Sequence, residues 1–186
     1  MKNNQQLKRQ VFVAVLAAIA YLLMFISFPV LPYVPFLKLD FADIPILIGL
    51  FMLGPSAAVE TTVLKLFLYW MTMGFSVIEL IGLSSSLVVS LVFITIFWLG
   101  KKYVLKSGYR SILVVITVAL LLTVIMSILN YLVFMPLYIN VVGFHLGIPL
   151  AKLILIGIAP FNLLKGLIVG TVFTVIINVL PGRYVK

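Results

Sequence analysis

Asn162 and Lys165 lie three residues apart in GIAPFNLLKGLIVG, residues 157–170, a stretch that is otherwise apolar. On a helix, residues i and i+3 share a face, so the amide and the ammonium converge on one patch. An amide carries donors and an acceptor, and an ammonium carries three donors. Such a patch either forms the polar floor of a pocket or ties one buried helix to another. Asn130 is equally isolated in MSILNYLVF. Pro160, two residues before Asn162, lacks a backbone donor and predicts a local bend.

The other charges away from the chain ends and basic loops are Lys38, Asp40, Asp43, Glu60, Lys65, Glu79 and Lys152, and they include all four acidic residues. A charge inside a bilayer costs roughly 2.5–3.5 kcal/mol on insertion scales, so it normally faces an interior or a partner. Lys65 reads as snorkelling or as paired with Glu60, five residues earlier. Lys152 reads as interfacial. Glu79 either complements a helix N-terminus or serves a ligand. The loop FPVLPYVPFLKLDFADIP is stiffened by Pro29, Pro32, Pro35 and Pro45 and greased by Tyr33, Phe36, Leu37, Leu39 and Phe41. Alternation over residues 36–41 predicts a short extended piece. The loop reads as a lid over a flat amphipathic ligand, or as a segment resting in headgroups.

These residues need a frame, and composition supplies it. The chain of 186 residues is 65% hydrophobic and 9% charged, with mean hydropathy +1.34. Soluble domains carry about 25% charged residues. The fold class is therefore an all-α integral membrane protein, one domain over 1–186, with the outer loop at about 29–43. Six transmembrane helices are predicted at about 8–28, 42–54, 56–74, 77–103, 110–138 and 150–181. The second and third are short and divided by Gly54-Pro55-Ser56. Nine of the thirteen Lys and Arg flank span 1, the span 4–5 loop and the end of span 6. The positive-inside rule then places both termini in the cytoplasm, with Trp98 and Tyr103 at the inner interface and Tyr69 and Trp70 at the outer.

Several classes of activity fall away. The net charge of +9 is not gathered beside stacking aromatics, so it does not indicate nucleic-acid binding. With no cysteine and one histidine, His145 in an exposed GFHLG loop, the chain has no catalytic constellation and no metal site. Gly49-x4-Gly54-Pro55-Ser56 lacks the lysine of a phosphate loop, so no ATPase is encoded. Ala14-x3-Ala18, with Ala17 and Ala20, gives span 1 a smooth face, and Gly166-x3-Gly170 does the same for span 6. The second is read as internal packing. The first is either internal or a docking face.

With these pieces assembled, the chain resembles a substrate-binding S component of an energy-coupling factor (ECF) transporter, of the riboflavin-specific type. The resemblance spans nearly the whole length and rests on FLKLDFADIP at 36–45, the turn at 54–56, Asn130, APFNLLKG at 159–166 and the early alanine motif. It implies a multi-pass protein of a bacterial plasma membrane that captures a vitamin from outside. A transmembrane T component and two cytoplasmic ATPases would drive uptake as the S component topples. It also implies that Ala14 and Ala18 meet the T component. Riboflavin suits the residues chemically. Asn130, Asn162 and Lys165 match its uracil-like edge, Glu79, Asp40 and Lys38 its ribityl hydroxyls, and Phe36, Leu37 and Phe41 its ring faces. The ligand is cargo, and no cofactor is expected. Another vitamin such as thiamin, biotin or a pyridoxine-like compound, or a stand-alone small-solute transporter, remains the alternative.

Overall fold

A computed structural model describes residues 2–32, 34, 37–106, 108–143, 145 and 147–180. Phe36, Tyr33 and Pro35 of the loop, and Arg183 and Lys186 at the C-terminal end, lie outside the described residues. Six helices lead the fold: α1 Lys2–Phe25, α2 Asp43–Leu53, α3 Pro55–Thr72, α4 Val77–Leu99, α5 Tyr109–Val142 and α6 Leu150–Val179. A single helical turn, Lys101–Val104, follows α4. Two short strands, β1 Phe28–Pro29 and β2 Lys38–Leu39, pair antiparallel with Phe28 opposite Leu39. That ribbon is the extended piece expected in the loop.

Helices α1, α4, α5 and α6 are long and apolar enough to cross a membrane. The 11-residue α2 is too short to cross alone, at about 16 Å for 1.5 Å per residue. Gly54 divides it from α3 at φ +96°, a conformation that favours glycine, and Pro55 opens the next helix with a donor it does not need. The two helices then double back. Asp43 stands 11 residues before Gly54 and Lys65 11 after it, yet their charged atoms are 3.5 Å apart.

One end of the bundle is defined by contacts between helix termini. The Arg9 guanidinium on α1 holds Glu60 on α3 at 2.8 Å and also donates to Ser56. The Lys101 ammonium donates to the Phe51 carbonyl at 3.2 Å, capping the last turn of α2, and lies over the Phe51 ring. The first residues of α1, the α2–α3 turn and the α4–α5 turn therefore share one end. The ribbon, the α3–α4 turn and the α5–α6 connection mark the other. Glu60 thus pairs with Arg9, not with Lys65 as one sequence reading had it. Nor does Lys65 snorkel, since it is only 1% exposed.

Helices α5 and α6 form the tightest seam. A Cβ at Gly166 would lie 2.5 Å from the Ala119 Cα, so no side chain fits there. Gly170 faces Val115 in the same seam, which is the internal packing expected of this pair. Gly166→Val is expected to force the helices apart, at a cost of about 3 kcal/mol or more. A thermal-unfolding shift in detergent of several degrees checks this, with Gly147→Val, where a Cβ meets nothing within 4 Å, expected to cost less.

Each of α5 and α6 also contains one π-helical turn, Asn130–Phe134 and Ile154–Ile158. Each turn is followed two residues later by a proline, Pro136 or Pro160. A proline ring collides with the carbonyl four residues back, here Leu132 or Ile156, each in the middle of its π-turn. The widened turn relieves that collision without breaking the helix. The bend expected at Pro160 is this turn.

Candidate functional site

The ribbon end of the bundle encloses a cavity of about 440 Å³. Ligand pockets commonly measure roughly 300–1,000 Å³. Leu37, Lys38 and Asp40 from the loop roof it. Helix α4 contributes Ile78, Gly82, Ser85, Ser86 and Val89, and α1 contributes Met24. Helix α5 contributes Met126, Asn130, Phe134, Met135, Tyr138 and Val142, and α6 contributes Ile158, Phe161, Asn162 and Lys165.

The two asparagines sit on the π-turned helices in matching ways. Asn130 Nδ2 donates to the Met126 carbonyl and Asn162 Nδ2 to the Ile158 carbonyl, each at 2.8 Å and each four residues back. One N–H of each amide is thereby spent, which fixes the side chain. The second N–H and the carbonyl oxygen are left to the cavity, a donor–acceptor pair from each helix. Around them the wall is largely apolar, with Met126, Phe134, Met135, Ile158 and Phe161 close by in sequence. The arrangement suits a flat ring with a polar edge.

Lys165 is the cation on the floor. Its Nζ lies 3.1 Å from Asp40 Oδ2 in the loop and 3.7 Å from Asp43 Oδ2 at the start of α2. Asp43 is 1% exposed and also meets Lys65 at 3.5 Å and the Ser90 hydroxyl. Lys65 in turn donates to Ser90 at 3.3 Å. Two carboxylates and two ammonium groups thus form one continuous row joining the loop to α6, α2, α3 and α4. Asp43 belongs to this row, and α2 begins beneath the cavity at its floor.

The loop is also held by apolar contacts. Val34 packs against Met135, Leu153, Ile154 and Ile158, and so rests on the π-turn of α6. A Cβ at Gly157 in that turn would lie 3.0 Å from Val34 Cγ1, so glycine makes the seat. Asp40 Oδ1 accepts from the Ala42 backbone N–H at 2.9 Å, leaving Oδ2 for Lys165.

Of the residues singled out from sequence, Asn130, Asn162, Lys165, Asp40, Lys38 and Leu37 meet at this cavity. Two do not. Phe41 does not line the wall. Its ring, two residues beyond β2, lies 6.5 Å from that of Phe28 and packs on the hydrophobic core. Glu79 is also absent from the wall. It lies in the first turn of α4, where Ser76 caps the helix and an acidic residue complements the N-terminus. The sequence reading missed Ser85, Ser86, Tyr138 and Phe161. The run Ser84-Ser85-Ser86 was a visible signal, three hydroxyls in an apolar span. It also missed the burial of Asp43 and Ser90. On α1, Ala17 and Ala20 turn inward, whereas Ala14 and Ala18 are exposed on the outer face. His145 is exposed, as expected of a loop residue. Lys152 is exposed at the ribbon end.

Residues 8–177 match the model of the family described as ECF transporter, substrate-specific component. The chain belongs to this family. Its relatives include the riboflavin transporter RibU of Streptococcus thermophilus, 34% identical, with 100% of this chain and 87% of that protein aligned. RibU of Staphylococcus aureus is 33% identical over 92% of this chain and 89% of its own length. The riboflavin transporter FmnP of Bacillus subtilis is 32% identical over 92% and 90%. A solved S component of a bacterial ECF transporter superposes with a TM-score of 0.75 at 32% identity, covering 92% of this chain and 94% of that one. The chain is accordingly a helical membrane protein of transport, and the family is not one of enzymes.

Proposed function

We propose that this chain is the riboflavin-binding subunit of an ECF-type importer in a bacterial plasma membrane. The cavity carries the reading. Two half-satisfied amides and one ammonium border a largely apolar space under a loop, the complement of an isoalloxazine with its donor–acceptor edge. Lys165 and the two asparagines read that edge. Ser85, Ser86, Tyr138 and Lys38 are placed to serve the ribityl hydroxyls. That several full-length relatives are named riboflavin transporters supports the same ligand.

The topology that goes with it has six membrane-embedded helices and both termini in the cytoplasm. The basic end defined by Arg9, Lys101 and Lys102 faces inward by the positive-inside rule, and the cavity opens outward. Helix α2 need not span the full bilayer, because it starts at the cavity floor and the loop above it fills the remaining depth. The exposed Ala14 and Ala18 would receive a T component, and two cytoplasmic ATPases would supply the work that this chain lacks.

Purified protein is expected to quench riboflavin fluorescence on mixing and to yield riboflavin when copurified ligand is extracted and weighed by mass spectrometry. Recovery of thiamin, biotin or a pyridoxine-like compound in its place would reassign the cavity within the family. Uptake by this chain alone in proteoliposomes, without ATP, would count against dependence on a T component and ATPases.

A further inference from the structure

Asp43 does not touch the cavity, yet it is the centre of the charged row beneath it. In order the row runs Asp40, Lys165, Asp43, Lys65, with distances of 3.1, 3.7 and 3.5 Å between successive charged groups. The signs alternate and the formal sum is zero. Only Asp40 and Lys165 reach the cavity wall. Lys38 is also on the wall, but it is exposed and stands outside the row.

Stability does not explain so long a row. A buried ion pair gains little over well-packed apolar side chains, and each added charge must be desolvated. Lys165 already has a partner in Asp40. A second carboxylate behind it is surplus to that pair, and it requires Lys65 and Ser90 to compensate it in turn. What the second carboxylate does accomplish is electrostatic. A lysine in an apolar cavity is an attractive anion site. Asp43 at 3.7 Å, fixed by α2 and screened from water, opposes that pull from below.

We propose that Asp43 is a selectivity residue, cancelling the buried charge of Lys65 so that the row beneath the cavity stays neutral and an uncharged ligand is preferred over its anionic analogues. This rests on the reading of the cavity as a flavin site, where the relevant pair is riboflavin and its phosphate monoester. Lys65 and Ser90 position Asp43. Removing either member of the buried Asp43–Lys65 pair leaves the floor charged, with opposite signs in the two cases.

The test compares affinities for riboflavin and flavin mononucleotide by fluorescence titration of the full chain in detergent. Asp43→Asn leaves the row at +1 and is expected to shift the affinity ratio toward flavin mononucleotide by at least about tenfold, a unit charge acting on a dianion across about 10 Å at an effective dielectric near 20. Lys65→Met leaves it at −1 and should shift the ratio the other way. The double variant Asp43→Asn/Lys65→Met restores neutrality and should return the ratio toward that of the parent. If Asp43→Asn fails to fold, the contrast between Lys65→Met and the double variant carries the test. A loosened fold would weaken both ligands together. Unchanged ratios, or shifts of the same sign, overturn the proposal while leaving the riboflavin site intact. Failure of the parent protein to bind riboflavin overturns the proposal together with the reading it rests on.

Discussion

Lys165→Met is expected to weaken riboflavin binding by about 100-fold or more. Two losses combine. The ligand loses a charge-assisted donor on the cavity floor, worth roughly 1.5–3 kcal/mol. Asp40 and Asp43 also lose their shared cation, with its contacts of 3.1 and 3.7 Å, leaving Asp40 without an ion-pair partner among the described residues. Asp40 is in the loop, so the roof is released along with the floor. Breaking one partner out of a buried charge cluster commonly costs 3–5 kcal/mol, so the thermal midpoint should fall as well. Lys165→Arg separates the two effects. It keeps the charge and should recover much of the stability, but its planar fork is larger and places its donors differently, so ligand affinity should stay low. Fluorescence titration beside thermal unfolding checks both. Binding by Lys165→Met within about threefold of the parent would show that the ammonium does not contact the ligand.

Ala14→Trp combined with Ala18→Trp is expected to abolish ATP-driven uptake while leaving riboflavin affinity unchanged. The two alanines are one helical turn apart on the exposed side of α1, and Ala17 and Ala20 occupy the inward side. Indoles at 14 and 18 therefore project outward without disturbing the packing of α1 against α2 and α3. They would fill the smooth face through which a partner helix approaches closely. Uptake is measured in proteoliposomes containing the T component and both ATPases, and affinity by titration of the isolated chain. Uptake near the parent level would remove this face from the partner interface.

The placement of Asn130, Asn162 and Lys165 was legible because each is an isolated polar group in an apolar run, and the three-residue spacing of the second pair fixes a shared face. The helical segments were legible from apolar blocks and from Gly54-Pro55, with boundaries within a few residues. The spanning depth of α2 was not, because an 11-residue apolar helix reads like a truncated span until its first residue is found under a cavity. The charged row was invisible for a related reason. Asp43 and Lys65 are 22 residues apart and meet only because α2 and α3 fold back on Gly54. Asp43 looked like a loop residue because it follows Lys38 and Asp40, yet it opens a helix and is buried. Glu60 was paired with the wrong lysine, since its partner Arg9 is 51 positions away on α1. The two π-turns had a local cause in Pro136 and Pro160, but only the second proline was read as a bend.

The zero sum of the buried row has a consequence for energy conversion. Moving one elementary charge across a membrane potential of 100 mV requires about 2.3 kcal/mol. If the cavity end of this protein crosses the bilayer to release its cargo, the four charges of the row travel together as two cancelling pairs. An uncharged vitamin adds nothing to them. The row itself is therefore indifferent to the voltage across the membrane, and any voltage dependence of the passage falls to the charges at the two ends, Lys38, Glu79 and Lys152 at one and Arg9, Glu60 and Lys101 at the other.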